Sequence, residues 1–184
     1  DYAGRVRDLC VSQGTLTQLD KNRWAITDLT PDSLLTVIWH VFAYSMGIHD
    51  AWLDDDRGFI NPSALFIAPE TGSSTPIQIE FDAPNYDIYT TLTNTKPHHF
   101  VASNYDELLD APFTLIKTDV PATLIEVACQ GIPHQMIISG QSVTLLNIER
   151  IKKDLLSILD TTISFWGEAP FTHYLFHLHL DPQL

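Results

Sequence analysis

Three histidines near the end of the chain have a spacing that can bind a metal ion. His173, His177 and His179 are separated by even intervals, so a β-strand through them places all three side chains on one face. Neutral imidazoles two residues apart on a strand can share a metal, and three can hold zinc with one position open. Such a site also needs hydrogen-bond acceptors for the ring N–H groups, and the sequence assigns none. We therefore predict that the histidines lie at a strand edge or interface, with the metal site as the alternative.

The densest cluster of charge is the run D-D-D-R-G at residues 54–58. A calcium loop of the EF-hand type requires oxygen ligands at alternate positions and a glutamate at the twelfth. Counted from Asp54, the fifth position is Gly58 and the twelfth is Leu65, which excludes that loop. Two interpretations remain open. The run is either a solvated turn in which Arg57 pairs with a neighbouring aspartate, or a loop that presents carboxylates to a ligand with a free amine.

The sequence contains none of the common catalytic motifs. No H-E-x-x-H, G-x-S-x-G, P-loop or G-x-G-x-x-G occurs in it. Cys10 and Cys129 are far apart and form no C-x-x-C pair, so we interpret them as small apolar side chains. We predict that this chain contains no catalytic residue and no cofactor of its own, and that it is inactive alone.

The elements that must position these residues are short strands up to about Val143. Residues 34–44 alternate with both faces apolar, which predicts a central strand covered on two sides. A single helical turn is predicted over residues 105–110. Further strands are predicted at residues 5–10, 24–27, 63–67, 77–81, 88–92, 98–101, 113–117, 123–129 and 134–138, with turns at sites such as 72–74 and 130–133. Short strands at this spacing predict a mainly β chain whose residues 1–143 form an antiparallel β-sandwich.

The periodicity changes after Gly140. Apolar residues recur at helical spacing over residues 145–166, and Gly167 is well placed to end the helix. Residues 174–180 then alternate like a strand. One long α-helix and a strand behind a complete β unit indicate the start of another domain. We therefore predict two domains, residues 1–143 and 144–184.

The composition excludes several classes of function. The 184 residues have a formal net charge of −13 with only ten lysines and arginines, which argues against binding to nucleic acid or to an anionic membrane surface. No apolar run approaches the roughly 18 residues of a membrane span. The chain begins at Asp1 without a methionine, and we expect it to be a fragment. A cytoplasmic location is favoured over a periplasmic one.

Several segments, in order, resemble the glycyl-aminopeptidase family, zinc metallopeptidases that usually carry a C-terminal PDZ domain. They are V-F-A-Y at 41–44, A-W-L-D-D-D-R-G-F-I-N at 51–61, S-A-L-F at 63–66, Y-D-E-L-L-D-A-P at 105–112, G-I-P-H at 131–134, F-W-G at 165–167 and Y-L-F-H-L-H-L at 174–180. The R-D pair at 7–8 fits the family more loosely. These matches extend over almost the whole chain.

The resemblance implies a β-sandwich that leads into a thermolysin-like peptidase domain, with residues 145–180 as the opening helix and strand of that domain. Family members continue into a G-L-E-H stretch that holds the substrate's amino terminus and then into an H-E-x-x-H zinc helix. Both motifs would follow Leu184, so zinc is expected in the full-length parent protein. Two departures are Asp56 in place of a small polar residue and His177 in place of an apolar one. The family also has about two more strands before the segment at 2–10.

The function that follows is the N-terminal non-catalytic domain of a zinc-dependent aminopeptidase. It would support its own catalytic domain and line the cleft for a peptide substrate, with Asp54, Asp55, Arg57 and Asn61 as candidate cleft residues, since a carboxylate can pair with an α-amine. The alternative is a stand-alone β-sandwich module that binds carbohydrate or a protein partner. Trp24, Trp39 and Trp52 would then supply stacking surfaces. We also expect the fragment to self-associate through the apolar surfaces of its helix at 145–166 and its strand at 174–180.

Overall fold

The computed structural model describes residues 6–70 and 74–180. The chain is mainly β, as predicted, with one long helix near its C-terminal end. Its elements in chain order are β1 (Val6–Val11), β2 (Thr15–Asp20), β3 (Arg23–Thr27), β4 (Val37–Val41), β5 (Ala51–Leu53), β6 (Arg57–Ile60), α1 (Pro62–Leu65), β7 (Ile77–Glu80), β8 (Tyr86–Tyr89), β9 (Thr93–Lys96), β10 (His99–Ala102), α2 (Tyr105–Leu109), β11 (Phe113–Lys117), β12 (Ala122–Cys129), β13 (Ile132–Ser139), a 3-10 helix (Gln141–Leu145), α3 (Ile148–Trp166) and β14 (Tyr174–His179).

Two antiparallel sheets pack face to face and enclose the main core. The first has the order β5-β6-β11-β8 and the second has the order β7-β10-β9. Phe113 and Leu115 project from the first sheet, and Ile79 and Phe100 project from the second into the same buried cluster. The rings of Phe100 and Phe113 meet edge to face with centroids 5.9 Å apart. This packing is the predicted β-sandwich.

A third sheet, β12-β13-β14, carries the C-terminal part of the chain. β12 and β13 form an antiparallel hairpin, and β14 pairs with β13 in parallel. Helix α3 covers one face of this sheet through Leu155, Leu159 and Ile163, which are buried against Cys129 and its neighbours. The sheet joins strands from both sides of residue 143. The division of the chain into residues 1–143 and 144–184 stays a prediction.

Local sequence signals explain where α3 begins and ends. The Asn147 side chain accepts a hydrogen bond from the backbone N–H of Arg150, so the helix starts there rather than at Leu145. Residues 141–145 form a separate 3-10 turn. Gly167 has the left-handed conformation with φ of 86°, and its N–H donates to the Ile163 carbonyl, which ends the helix as predicted. Among the described residues, no helix has the length and apolarity needed to cross a membrane.

Two strand predictions were wrong. Residues 63–67 were predicted as a strand, but Pro62–Leu65 is a helical turn because Asn61 caps it and proline suits a first helical turn. Residues 34–44 were predicted as a central strand, but β4 spans only Val37–Val41 and pairs with β1 in a two-stranded sheet. Its outer face is open, since Ile38 and Phe42 are more than half exposed. The apolar side chains on this face are therefore exposed, although their pattern predicted burial.

Other elements were predicted with shifted bounds or were missed. The helical turn predicted at residues 105–110 is α2, capped by the Asn104 side chain, which accepts from the Glu107 N–H. Strands β2, β5, β6 and β9 were not predicted, because they are short or polar. Residue 5 of the first predicted strand and residues 72–73 of one predicted turn lie outside the described residues.

Candidate functional site

The acidic run forms the turn between β5 and β6, at one corner of the four-stranded sheet. The two strands pair antiparallel, with Trp52 opposite Phe59 and Leu53 opposite Gly58. A β-carbon at Gly58 would lie 3.1 Å from Leu53 Cδ1 and 3.3 Å from Leu115 Cβ. A larger residue there would push against the sandwich core. Glycine thus lets this hairpin lie close to the neighbouring strand.

Asp54 holds the turn together through its carboxylate. Its Oδ1 accepts the backbone N–H groups of Asp56 at 2.9 Å and Arg57 at 2.8 Å, and its Oδ2 accepts the indole N–H of Trp52 at 2.7 Å. Burial alone raises the pKa of Asp54, but these hydrogen bonds and the nearby Arg57 charge outweigh it and lower the pKa below its ordinary value. The carboxylate is already occupied by groups of the turn itself.

Arg57 is held on the same side of the turn. Its side chain is 17% exposed, and its Nε lies 3.9 Å from Asp54 Oδ2. Its Nη2 approaches Met46 Sδ at 3.9 Å. The local pairing of Arg57 with an aspartate is the arrangement that the turn interpretation of the sequence predicted.

Asp55 and Asp56 lie at the tip of the turn and are exposed. Their backbone is fixed from outside the hairpin. The Tyr86 hydroxyl lies 3.2 Å from the Asp54 carbonyl and 3.3 Å from the Asp55 carbonyl, and the Lys117 N–H donates to the Asp56 carbonyl at 2.9 Å. Within residues 6–70 and 74–180, no hydrogen bond or ion pair engages the carboxylate of Asp55 or of Asp56. The turn therefore presents two unpaired carboxylates on an anchored backbone.

Asn61 stabilises the backbone at the other end of β6 through side-chain hydrogen bonds. Its Oδ1 accepts the N–H of Ser63 at 3.0 Å, and its Nδ2 donates to the Ile48 carbonyl at 3.0 Å. Asn61 follows Arg57 by four positions, about 13 Å along an extended strand. The structure therefore groups Asp54, Asp55 and Arg57 in one turn and leaves Asn61 apart from them.

The three histidines each contact a different partner. The His173 Nε2–H donates to the Thr91 carbonyl at 2.7 Å, His177 Nδ1 is hydrogen-bonded to the Thr114 hydroxyl, and His179 Nδ1 lies 2.9 Å from Ser139 Oγ. His177 is enclosed between β14 and the sandwich, and burial lowers its pKa from 6.5 to about 4. No group of three or more His, Cys, Asp or Glu side chains in the described parts of the chain is arranged to hold a metal. Of the three, His177 lies where β14 packs on the sandwich, whereas His173 is exposed.

The three tryptophans occupy two different environments. Trp24 and Trp39 line an apolar cleft of about 730 Å³ between the β2–β3 hairpin and the segment after α1. The Trp39 indole N–H donates to the Leu65 carbonyl at 2.9 Å. Trp52 instead stacks on Tyr44 with ring centroids 4.3 Å apart, beside the acidic turn. No sequence signal pairs Tyr44 with Trp52, so this stack was not predicted.

Comparisons with known proteins identify relatives of this fold. Residues 1–116 match the family model described as the Peptidase M61 N-terminal domain. The fold matches the crystal structure of an aminopeptidase N family protein from Idiomarina loihiensis, with a TM-score of 0.83 and 28% sequence identity. The match covers 98% of this chain and 32% of that chain, so this chain spans about a third of that protein's length. No curated protein matches this chain.

Proposed function

Because the chain belongs to the peptidase M61 N-terminal domain family, we propose that it supports the catalytic domain of a zinc-dependent aminopeptidase and lines its peptide cleft. It is the N-terminal domain of an aminopeptidase-like protein. The described residues include no cluster fit to hold zinc. Zinc and the groups that act on its bound water would therefore belong to the rest of the parent protein, as would any PDZ domain.

The observation that supports a cleft role is the unpaired carboxylate of Asp55 on a fixed backbone. An aminopeptidase substrate carries a free α-ammonium group, which a carboxylate binds through a charge-assisted hydrogen bond. Because Tyr86 and Asp54 hold the turn in place, little ordering is left for substrate binding to achieve. Asp54 and Arg57 are then positioning residues. Asp55 is the candidate in this chain that contacts the ammonium group, together with the G-L-E-H stretch that the family resemblance implies in the rest of the parent protein.

Kinetics of the full-length parent enzyme test this role. A hydrogen bond to a charged group contributes about 1.5–3 kcal/mol, so Asp55→Asn should raise KM for an amino-terminal glycine substrate by roughly tenfold or more. Asp82→Asn, which removes one exposed carboxylate elsewhere on the sandwich, is the matched control and should leave KM unchanged. Unchanged KM and kcat in Asp55→Asn would remove this residue from the site.

Metal analysis tests the zinc assignment and the histidine alternative together. We expect stoichiometric zinc in the full-length parent and less than stoichiometric metal in the 184-residue chain. Chelation should abolish hydrolysis by the parent enzyme. A full equivalent of metal bound to the 184-residue chain would contradict the assignment and would favour the site at His173, His177 and His179.

We also propose that the 184-residue chain self-associates when it is separated from its catalytic domain. Ile158, Phe165 and Trp166 are exposed on α3. Apolar side chains grouped on one helix favour association in water. Sedimentation should show a species larger than the monomer, reduced by Phe165→Ser. A strict monomer that binds no hydrophobic dye would contradict the proposal.

A further inference from the structure

One row of side chains crosses the outer face of the four-stranded sheet. The strand register places Tyr44 opposite Trp52, Trp52 opposite Phe59, Phe59 opposite Thr114, and Thr114 opposite Tyr89. Residues paired across strands lie on the same face of a sheet. The opposite face carries Leu115 and Ile88 into the sandwich core. The row therefore lies on the side of the sheet that faces away from that core.

The C-terminal sheet covers one half of this outer face. His177 of β14 contacts Thr114 through a hydrogen bond and meets the Phe59 ring edge to face, with centroids 6.1 Å apart. Leu175 of the same strand is buried in a cluster with Ile116, and Tyr89 packs against that cluster. This half is an interface between the sandwich and the chain's own C-terminal part.

The other half of the face is uncovered and aromatic. We define the aromatic stripe as Phe42, Tyr44, Met46 and Trp52. Phe42, Tyr44 and Met46 are 65%, 62% and 61% exposed. The Phe42 ring lies 6.4 Å from the Tyr44 ring, which stacks on Trp52. Contiguous exposed apolar surface of this kind marks an interaction site rather than ordinary surface.

The charged groups of Arg57 and Asp54 beside the aromatic stripe are already paired, which lowers the cost of burying the stripe in a complex. Arg57 approaches Met46, but its guanidinium is paired with Asp54, and the Asp54 carboxylate is hydrogen-bonded to the Trp52 indole. Polar groups that are already paired cost less to desolvate than unpaired ones. Asp55 and Asp56 lie at the tip of the turn, at the edge of the stripe.

We propose that the aromatic stripe is the docking surface for the remainder of the parent polypeptide, its peptidase domain, an inference that rests on the proposed function. The stripe continues the face on which the chain's own β14 already packs. This chain covers 32% of the Idiomarina aminopeptidase N family protein, so about two thirds of that protein lies outside the matched part, which is enough for a further domain. Docking there places the peptidase domain beside the acidic turn, so that the turn lies at the border between the two parts.

Peptide-resolved labelling of introduced cysteines in the full-length parent protein tests the proposal without reference to activity. Tyr44→Cys is the probe of the stripe, and Leu19→Cys on the β2–β3 hairpin is the matched control, because Leu19 is 61% exposed. Maleimide should label Tyr44→Cys at least about tenfold more slowly than Leu19→Cys, since a covered thiol reacts only after local opening. If Tyr44→Cys does not fold, Phe42→Cys is compared with the same control.

Equal labelling rates at the two sites overturn the proposal. The measurement is repeated over a hundredfold range of protein concentration. Protection that is lost on dilution assigns the stripe to a second copy of the chain and also overturns it. Protection that is independent of concentration supports docking of the peptidase domain within the same polypeptide.

Discussion

The acidic turn between β5 and β6 differs from strand β14 in how its polar side chains are partnered. In the turn, Asp54 takes up the local hydrogen-bond donors and leaves the carboxylate of Asp55 exposed. On β14, His177 has a hydroxyl partner on β11 of the sandwich and His179 has one on the neighbouring strand β13. Both segments contain residues typical of sites, but only the turn keeps a charged group available to a ligand.

This difference shows that residue type and spacing do not by themselves define a site. The even spacing of the histidines does place His177 and His179 on one strand face, as a shared metal would require. That face is directed at the sandwich, where a buried polar group has to find a protein partner. The turn lies at a sheet corner, so its second and third carboxylates meet water.

The largest effect expected is from a charge placed at the buried histidine. His177→Asp puts a carboxylate between β14 and the sandwich with no cation beside it, and an unpaired buried charge typically costs about 3–5 kcal/mol. The free energy of unfolding from urea titration of the 184-residue chain measures the loss. His173→Asp, at an exposed position before the same strand, is the control and should cost less than about 1 kcal/mol. Equal losses would show that His177 is not at a closed interface.

The second prediction concerns pH. The pKa of His177 is lowered from 6.5 to about 4 by burial, so between these values the unfolded chain binds a proton that the folded chain does not. The free energy of unfolding should therefore be highest above pH 6.5 and fall by about 1.4 kcal/mol per pH unit toward pH 4, roughly 3 kcal/mol in all. The lowered pKa of Asp54 acts in a separate window, because its contribution is lost only as the pH falls below the ordinary carboxyl range.

Urea titrations from pH 7.5 to pH 4.5 check this slope. His177→Gln keeps a polar side chain but cannot titrate, so its free energy of unfolding should depend less on pH than that of the wild type. Parallel curves for the two proteins would contradict the buried, neutral histidine.

Much of the fold was predictable from the sequence because alternation and turn residues are local signals. The long helix and its end at Gly167 followed from apolar periodicity and the left-handed conformation that glycine adopts. The Ser63 segment was mispredicted because its apolar alternation concealed a helical turn that Asn61 caps. The open outer face of β4 depends on how sheets are arranged in space, which alternation does not encode.

The sequence indicated the turn as a candidate site but not the roles of its residues, and its function as a site stays a prediction. Charge density indicated the turn, and the family resemblance carried over Asp54, Asp55, Arg57 and Asn61 as one group. Only the structure distinguishes the roles of these residues, because the role of each carboxylate depends on which hydrogen-bond donors its oxygens contact. The stack of Tyr44 on Trp52 also joins β5 to the segment after β4, a pairing that the sequence alone does not give.

A smaller effect is expected from Asp54. Asp54→Asn removes the charge that accepts two backbone N–H groups and the Trp52 indole N–H, and it should lower the free energy of unfolding by about 1 kcal/mol. Thermal unfolding of the 184-residue chain measures this loss. An unchanged free energy of unfolding would mean that the hydrogen bonds of the Asp54 carboxylate do not stabilise the turn.

The smallest effect on stability is expected from Asp55, and this is the outcome that separates the two aspartates. Asp55→Asn changes an exposed carboxylate with no partner in the described parts of the chain, so the free energy of unfolding should stay within about 0.5 kcal/mol of the wild type. Substitution of a residue that holds the turn lowers the stability of the protein. Substitution of a residue that only binds substrate lowers the affinity for substrate and leaves the stability unchanged. Wild-type stability together with a raised KM in the parent enzyme would identify Asp55 as a ligand-binding group. A destabilised Asp55→Asn would mean that this carboxylate, like that of Asp54, is part of the structure.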